Sequence, residues 1–221
     1  GEQEIVYTNH SPDPLTKLVF RLYMNAHHPA AMREKPVDTK FLTQGISVEQ
    51  FSIDGKTIAW DDPADPQAEY NAPGSTVHAL TLAAPIPPNG SVRIRMRWHY
   101  DLVADKGWKE GAIDETSYFL AYFFPRVTNH SDTSGWDYAP FTLGREFNND
   151  FADFRVEVDV PRDFVVWATG TLQNPTDVLQ PAVHRKLEAS FGSDEVVTLA
   201  EPADAKAGTV TARAQRLVWK W

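Results

Sequence analysis

The chain of 221 residues contains no cysteine. Disulfide scaffolds, thiolate zinc sites and cysteine nucleophiles are therefore excluded together, although the redox compartment stays open. No uninterrupted apolar run approaches the roughly 20 residues that span a bilayer as a helix, the longest being 118–125. Basic charge is in deficit, with 21 Lys and Arg against 30 Asp and Glu and a formal charge of -9. An acidic surface repels phosphate backbones, so nucleic-acid binding is not expected. Helical periodicity is also scarce, and no Gly-x-Ser-x-Gly elbow, Gly-x-Gly-x-x-Gly loop or His-Glu-x-x-His helix occurs. Lys56-Thr57 after Gly55 resembles the tail of a phosphate loop, but Gln50 stands where that loop needs its first glycine.

What is present is alternation of period two. Val92, Ile94, Met96, Trp98 and Tyr100 alternate with Arg93, Arg95, Arg97 and His99, the pattern of a strand with one buried face. Phe154, Val156, Val158 and Val160 alternate with Arg155, Glu157 and Asp159 up to Pro161, and Leu18, Phe20 and Leu22 repeat the pattern. If the first two strands are neighbours, the arginine row faces the acidic row. Val48–Ile53 and Lys56–Trp60 flank Asp54-Gly55, a hairpin turn by its residue types. Val77–Leu82, Phe164–Ala168 and Leu217–Trp221 add further strands; Asp194–Leu199 after Ser193 is the best helix candidate, with a weaker turn near Ala31–Lys35. The expected fold is all-β, a single-domain antiparallel sandwich or saddle with very little helix. Its core should include Phe20, Leu22, Ile94, Met96, Trp98, Val156 and Val158, with Trp60 and Trp167 on buried strand faces.

The seven histidines, at 10, 27, 28, 78, 99, 130 and 184, lack the spacing that brings two imidazoles to one metal, and in an extended chain His27 and His28 point to opposite faces. The pair Asp61-Asp62 lies in a turn-rich stretch where a solvated loop is the default. Sequons at Asn9, Asn89 and Asn129 matter only in a glycosylating pathway. From Pro125 to Asn149 alternation stops, while Trp136, Tyr138, Phe141 and Phe147 stand among Arg126, Asp132, Asp137, Arg145 and Glu146. A long aromatic loop of this kind is usually functional. Trp108 and Trp136, both in loops, are the candidates for an exposed sugar-stacking platform.

The order of segments carries more information than any short motif. Ile5-Val6-Tyr7-Thr8-Asn9-His10-Ser11-Pro12-Asp13 followed by Leu18-Val19-Phe20-Arg21-Leu22-Tyr23-Met24-Asn25-Ala26 resembles the opening of the N-terminal β domain of bacterial aminopeptidase N family zinc metallopeptidases. Tyr122-Phe123-Phe124-Pro125-Arg126, Gly135-Trp136-Asp137, Gly144-Arg145-Glu146-Phe147, Asp150-Phe151-Ala152-Asp153-Phe154 and Val165-Val166-Trp167-Ala168-Thr169-Gly170 are similar to its later half. The resemblance implies a saddle-like domain, residues 1–221, that precedes a catalytic domain and covers one side of its active-site cleft. It implies no cofactor in this chain, zinc in the missing catalytic domain, and as partners that domain of the same polypeptide and the parent's peptide substrate. The start at Gly1 and the end on a strand-like Leu217–Trp221 read as an excised piece, whose trimmed leader would favour the cell envelope or periplasm.

The loop then supplies the cleft and interdomain candidates Tyr122, Phe124, Arg126, Trp136, Asp137 and Glu146. Arg126 would clamp a carboxylate across the interface, or pair with Asp132, Asp137 or Glu146 and hold the loop in shape. In several family members a Gln or Glu in a Thr-Gln-like stretch helps bind the substrate amine; Tyr122-Phe123-Phe124 stand there instead, which leaves Asp137 or Glu146 as substitutes or no equivalent at all. The competing classes are a free-standing carbohydrate- or protein-binding β-sandwich module and a scaffold descendant of the peptidase family without its zinc motif.

Overall fold

A computed structural model describes residues 1–104, 110–144 and 148–221. The fold is mostly β, with antiparallel pairing in several sheets. Contacts divide the chain into two compact units, Gly1–Asp150 and Phe151–Trp221. Among the described residues no helix is long and apolar enough to cross a membrane.

The first unit contains β1 (Glu2–Thr8), β2 (Leu15–Arg21), β3 (Ile46–Ile53), β4 (Lys56–Thr57), β5 (Val77–Ile86) and β6 (Ser91–Tyr100). It also holds the short strands β7 (Gly111–Ala112), β8 (Tyr118–Phe119), β9 (Arg126–Val127), β10 (His130–Ser131) and β11 (Gly135–Trp136). One sheet runs β1-β6-β3-β4 and a second β5-β2-β9. Their inward residues share one core: Leu18 and Phe20 from β2, Ala79 and Leu80 from β5, Phe51 from β3, and Ile94, Met96 and Trp98 from β6. The alternation of β6 is realised in full, with Ile94, Met96 and Trp98 buried and Arg93, Arg95, Arg97 and His99 exposed. β2 lies between two neighbours and buries four consecutive residues, Leu18 to Arg21. Asp54 and Gly55 have φ of 48° and 78°, as a primed two-residue turn requires. The second arm of that hairpin is only β4, because Trp60 leaves the ladder and packs against Phe20 at 5.3 Å and Phe51 at 4.9 Å.

The strand of the arginine row and the Glu157 strand are not neighbours; they belong to different sheets. Arg95 pairs with Glu4 at 2.8 Å, Arg97 with Glu49 at 3.2 Å and His99 with Glu49 at 2.8 Å, and Arg93 also bonds Glu4. These partners come from β1 and β3, the actual neighbours of β6; alternation fixes which face a strand buries but not which strand lies beside it.

The second unit pairs β12 (Glu157–Pro161) with β13 (Arg216–Lys220). There Asp159 meets Arg216 at 2.9 Å and Glu157 meets Lys220 at 3.5 Å. Trp219, Leu217, Val210, Leu179, Val178 and Val183 form its core. Three helices, α1 (Pro175–Val178), α2 (Pro181–Ser190) and α3 (Pro202–Lys206), each begin with proline, whose fixed φ and missing N–H suit the first helical turn. The helix expected at Asp194–Leu199 is absent. That stretch carries the β-branched run Val196-Val197-Thr198 with Val196 96% exposed, whereas α2 places Val183 and Leu187 four residues apart against the core. The turn expected near Ala31–Lys35 is not helical either; a 3-10 helix lies earlier, at Tyr23–His27.

Phe164–Ala168 forms no strand, and Trp167 is 51% exposed, an edge-on neighbour of Trp219 rather than a core residue. Phe20, Leu22, Ile94, Met96 and Trp98 are buried as expected, but Val156 and Val158 are only half-buried. A two-stranded ribbon has too little sheet to cover them.

Candidate functional site

The long loop after β8 is held by an arginine from β2. Arg21 is 2% exposed; its Nη2 donates to Asp137 Oδ2 at 3.0 Å and its Nη1 to the Ala139 carbonyl. Asp137 Oδ1 accepts from the Ala139 N–H at 2.9 Å, and the Asp137 N–H donates to the Asn129 carbonyl at 2.9 Å. A buried cation requires a carboxylate and further acceptors, and the loop wraps Arg21 to supply both. The Phe141 N–H donates to Thr76 Oγ1 at 2.7 Å, and Gly135 takes φ 73° at the turn between β10 and β11.

Aromatic contacts complete the scaffold. Trp136 packs on Tyr7 at 5.8 Å and on His130 at 5.0 Å. Tyr138 packs on Tyr70 at 4.3 Å, with the Lys17 ammonium 5.6 Å from its ring. Tyr122, with φ 56°, lies 5.4 Å from the Tyr23 ring, and the Tyr23 hydroxyl donates to Asn149 Oδ1 at 2.7 Å. Burial raises the Tyr23 phenol above its ordinary value and pushes that of Tyr7 up to about 12.

The sequence-derived candidates separate into two groups. Tyr122, Phe124 and Arg126 are half-buried on one stretch of loop, with the Arg126 guanidinium 5.8 Å from the Phe124 ring and its Nη2 donating to the Asp150 carbonyl at 3.1 Å. Trp136 and Asp137 are scaffold. Trp136 is 8% exposed, so it offers no indole face to a sugar, against the platform expectation. Asp137 is paired with Arg21 rather than with Arg126. Glu146 and Trp108 lie outside the described residues.

Two groupings were not foreseen. His27 and Glu110, 2% and 7% exposed, form a buried pair, and His27 Nδ1 is 3.1 Å from the Phe41 carbonyl. His27 ends the 3-10 helix while His28 caps it, so the neighbouring histidines part because the chain turns there. The second grouping lines a cleft of about 540 Å³ in the first unit, bordered by Leu22, Asn25, Trp60, Asp61, Asn71 and His78 among others. His78 is 3% exposed and stacks on Trp60 at 3.7 Å with an interplanar angle of 6°. Its Nε2 is 3.0 Å from the Trp60 carbonyl and its Nδ1 3.8 Å from Asp61 Oδ1. Desolvation lowers its pKa to about 4, so the ring is neutral at pH 7. β5 buries four consecutive residues, Val77 to Leu80, so His78 lies on the face opposite Val77 and Ala79, and period-two alternation gives no sign that it is buried.

Among the described residues no group of three His, Asp or Glu side chains could hold a metal ion. No family model, curated protein or solved structure matches the chain.

Proposed function

We propose that this chain is the non-catalytic N-terminal β domain of a zinc-dependent, aminopeptidase-like metallopeptidase, covering one side of the active-site cleft of a downstream catalytic domain and shaping the binding of peptide substrate. The colinear order of segments from Ile5 to Gly170 supports this reading, and the antiparallel all-β fold is compatible with it. The observation that carries it is the segment from Tyr122 to Gly144: broken only by the two-residue strands β9, β10 and β11, fixed around buried Arg21 and bearing half-buried Tyr122, Phe124 and Arg126. Beside it Tyr118, Phe119 and Leu120 are 46%, 51% and 44% exposed. Contiguous exposed apolar area on a shaped loop commonly marks an interaction surface.

The residues described here do not fit a zinc site. In this reading zinc belongs to the catalytic domain, and the role of the present chain is positional: it walls the cleft and excludes water from bound peptide. The test is kinetic. In the polypeptide that contains both domains, Arg126→Ala should raise KM or lower kcat for peptide substrates with an unchanged melting temperature. Normal kinetics per folded molecule, together with a loss of several degrees in melting temperature, would make the loop purely structural and defeat the proposal.

A further inference from the structure

The cleft around His78 has acceptors in excess of donors. Because Nε2 of the neutral ring donates to the Trp60 carbonyl, Nδ1 presents a lone pair, and it faces Asp61 Oδ1 at 3.8 Å. No hydrogen bond joins two acceptors. His78 is 3% exposed and borders the cleft, while the Asp61 side chain that its Nδ1 faces remains 75% exposed. Asp62 adds a second carboxylate at the rim; one of its oxygens caps the Ala64 N–H at 2.9 Å.

Several other polar groups of the lining are already engaged, while Gln44 and Ser47 also border the cleft. Asn25 bonds the Ser75 carbonyl and the Ile46 N–H, Asn71 bonds both backbone groups of Ala79, and His28 Nδ1 accepts from the Ala30 N–H. Leu22, Ile46, Val48 and Val77 supply apolar wall.

We propose that this cleft binds a primary ammonium carried on an aliphatic chain, the nitrogen bridging Asp61 and His78 and the methylenes lying along the apolar wall. A single ammonium nitrogen about 2.8 Å from each acceptor fits between two atoms 3.8 Å apart, and a lysine-like stem packs along apolar surface while its head pairs. A pyranose is a poorer fit because His78 covers the Trp60 face that would stack on it. An anion is opposed by the carboxylates of Asp61 and Asp62, with no Lys or Arg in the lining to offset them, and a divalent cation finds no third His, Asp or Glu ligand among the described residues. The proposal is independent of the peptidase reading.

The test uses the 221-residue chain and three probes: Nα-acetyl-lysine N-methylamide, its Nζ-acetylated analogue, and n-pentylamine. Binding is followed by calorimetry and by the imidazole 15N shift of His78. The first and third probes should bind saturably in the millimolar range and move the Nδ1 resonance, the acetylated probe should not, and Asp61→Asn should weaken binding about tenfold or more. Tighter binding of the lysine probe than of pentylamine identifies a peptide lysine as the source, and equal binding a free alkylamine; both support the shared chemistry. His78→Phe, which keeps a stacked ring and removes the acceptor, should abolish binding, and Asp61→Asn alters only an exposed side chain should the first variant fail to fold. Equal binding of the acetylated probe, an unchanged affinity in Asp61→Asn, or no saturation of either amine by about 50 mM would overturn the proposal.

Discussion

Removing the Arg21 guanidinium tests the loop architecture most sharply. Arg21→Met keeps an apolar stem of similar length but strands the Ala139 carbonyl and leaves Asp137 without its cation. Breaking a buried ion pair from one side costs about 3–5 kcal/mol. The Asp137 side chain is 29% exposed, so water recovers part of that cost and about 2–3 kcal/mol is expected. The loss should be local, and the clearest readout is hydrogen exchange at the amides of Asp137, Ala139 and Phe141, all bonded within the loop or to its base. Their protection should fall about 30- to 150-fold, since each 1.4 kcal/mol is a factor of ten. Asp137→Asn alone strands a buried cation and should cost a similar amount, whereas the double variant removes both charges and should cost less than the sum, by about 1–2 kcal/mol. Protection unchanged within about threefold, or strict additivity in the cycle, would refute the claim that this pair fixes the loop.

Further expectations concern the core and the pH response. Phe20→Ala or Ile94→Ala, both at 0% exposure, should cost about 3–5 kcal/mol in urea unfolding, and half-buried Val158→Ala about 1 kcal/mol. His78 titrates near 4 when folded, below the ordinary 6.5 of an exposed histidine. The unfolded chain therefore binds the proton first as pH falls, so the His78 contribution is intact above pH 6.5 and is lost progressively down to about pH 4, on the order of 3 kcal/mol in all. The urea midpoint should fall across that window in the wild type and fall less in His78→Phe; identical pH slopes would contradict a buried neutral ring.

Several features were legible before the fold was seen. The alternation of β6 and the Asp54-Gly55 turn are local patterns, and local patterns survive into the structure. Strand partnership was not legible, because the carboxylates facing Arg95 and Arg97 come from strands about 45 to 95 residues away in sequence, and nothing in an alternating run selects among them. Helix α2 is marked by Pro181 at its start and by Val183 and Leu187 on its inner face, whereas the Ser193 cap precedes a stretch whose β-branched residues oppose a helix.

In the described part of the loop the aromatic residues pack against the scaffold, but their sequence positions do not show which rings face outward. Trp136 is buried because Tyr7 and His130, far apart in the sequence, meet it. Arg21 gave no sign of burial, since a strand-terminal arginine ordinarily reaches solvent, and only the fold brings Asp137 to it. The Asp61 and His78 pairing is likewise a product of tertiary structure, joining a turn to the start of β5.

The measurement that bears most directly on the proposed function is zinc content and aminoacyl-anilide hydrolysis by the full-length polypeptide in which residues 1–221 occur. The expected result is one tightly bound zinc per chain and hydrolysis that a chelator abolishes, with kcat/KM reduced by Arg126→Ala at unchanged melting temperature. A folded, chelator-free preparation with neither zinc nor hydrolysis would contradict the assignment to a zinc aminopeptidase-like enzyme.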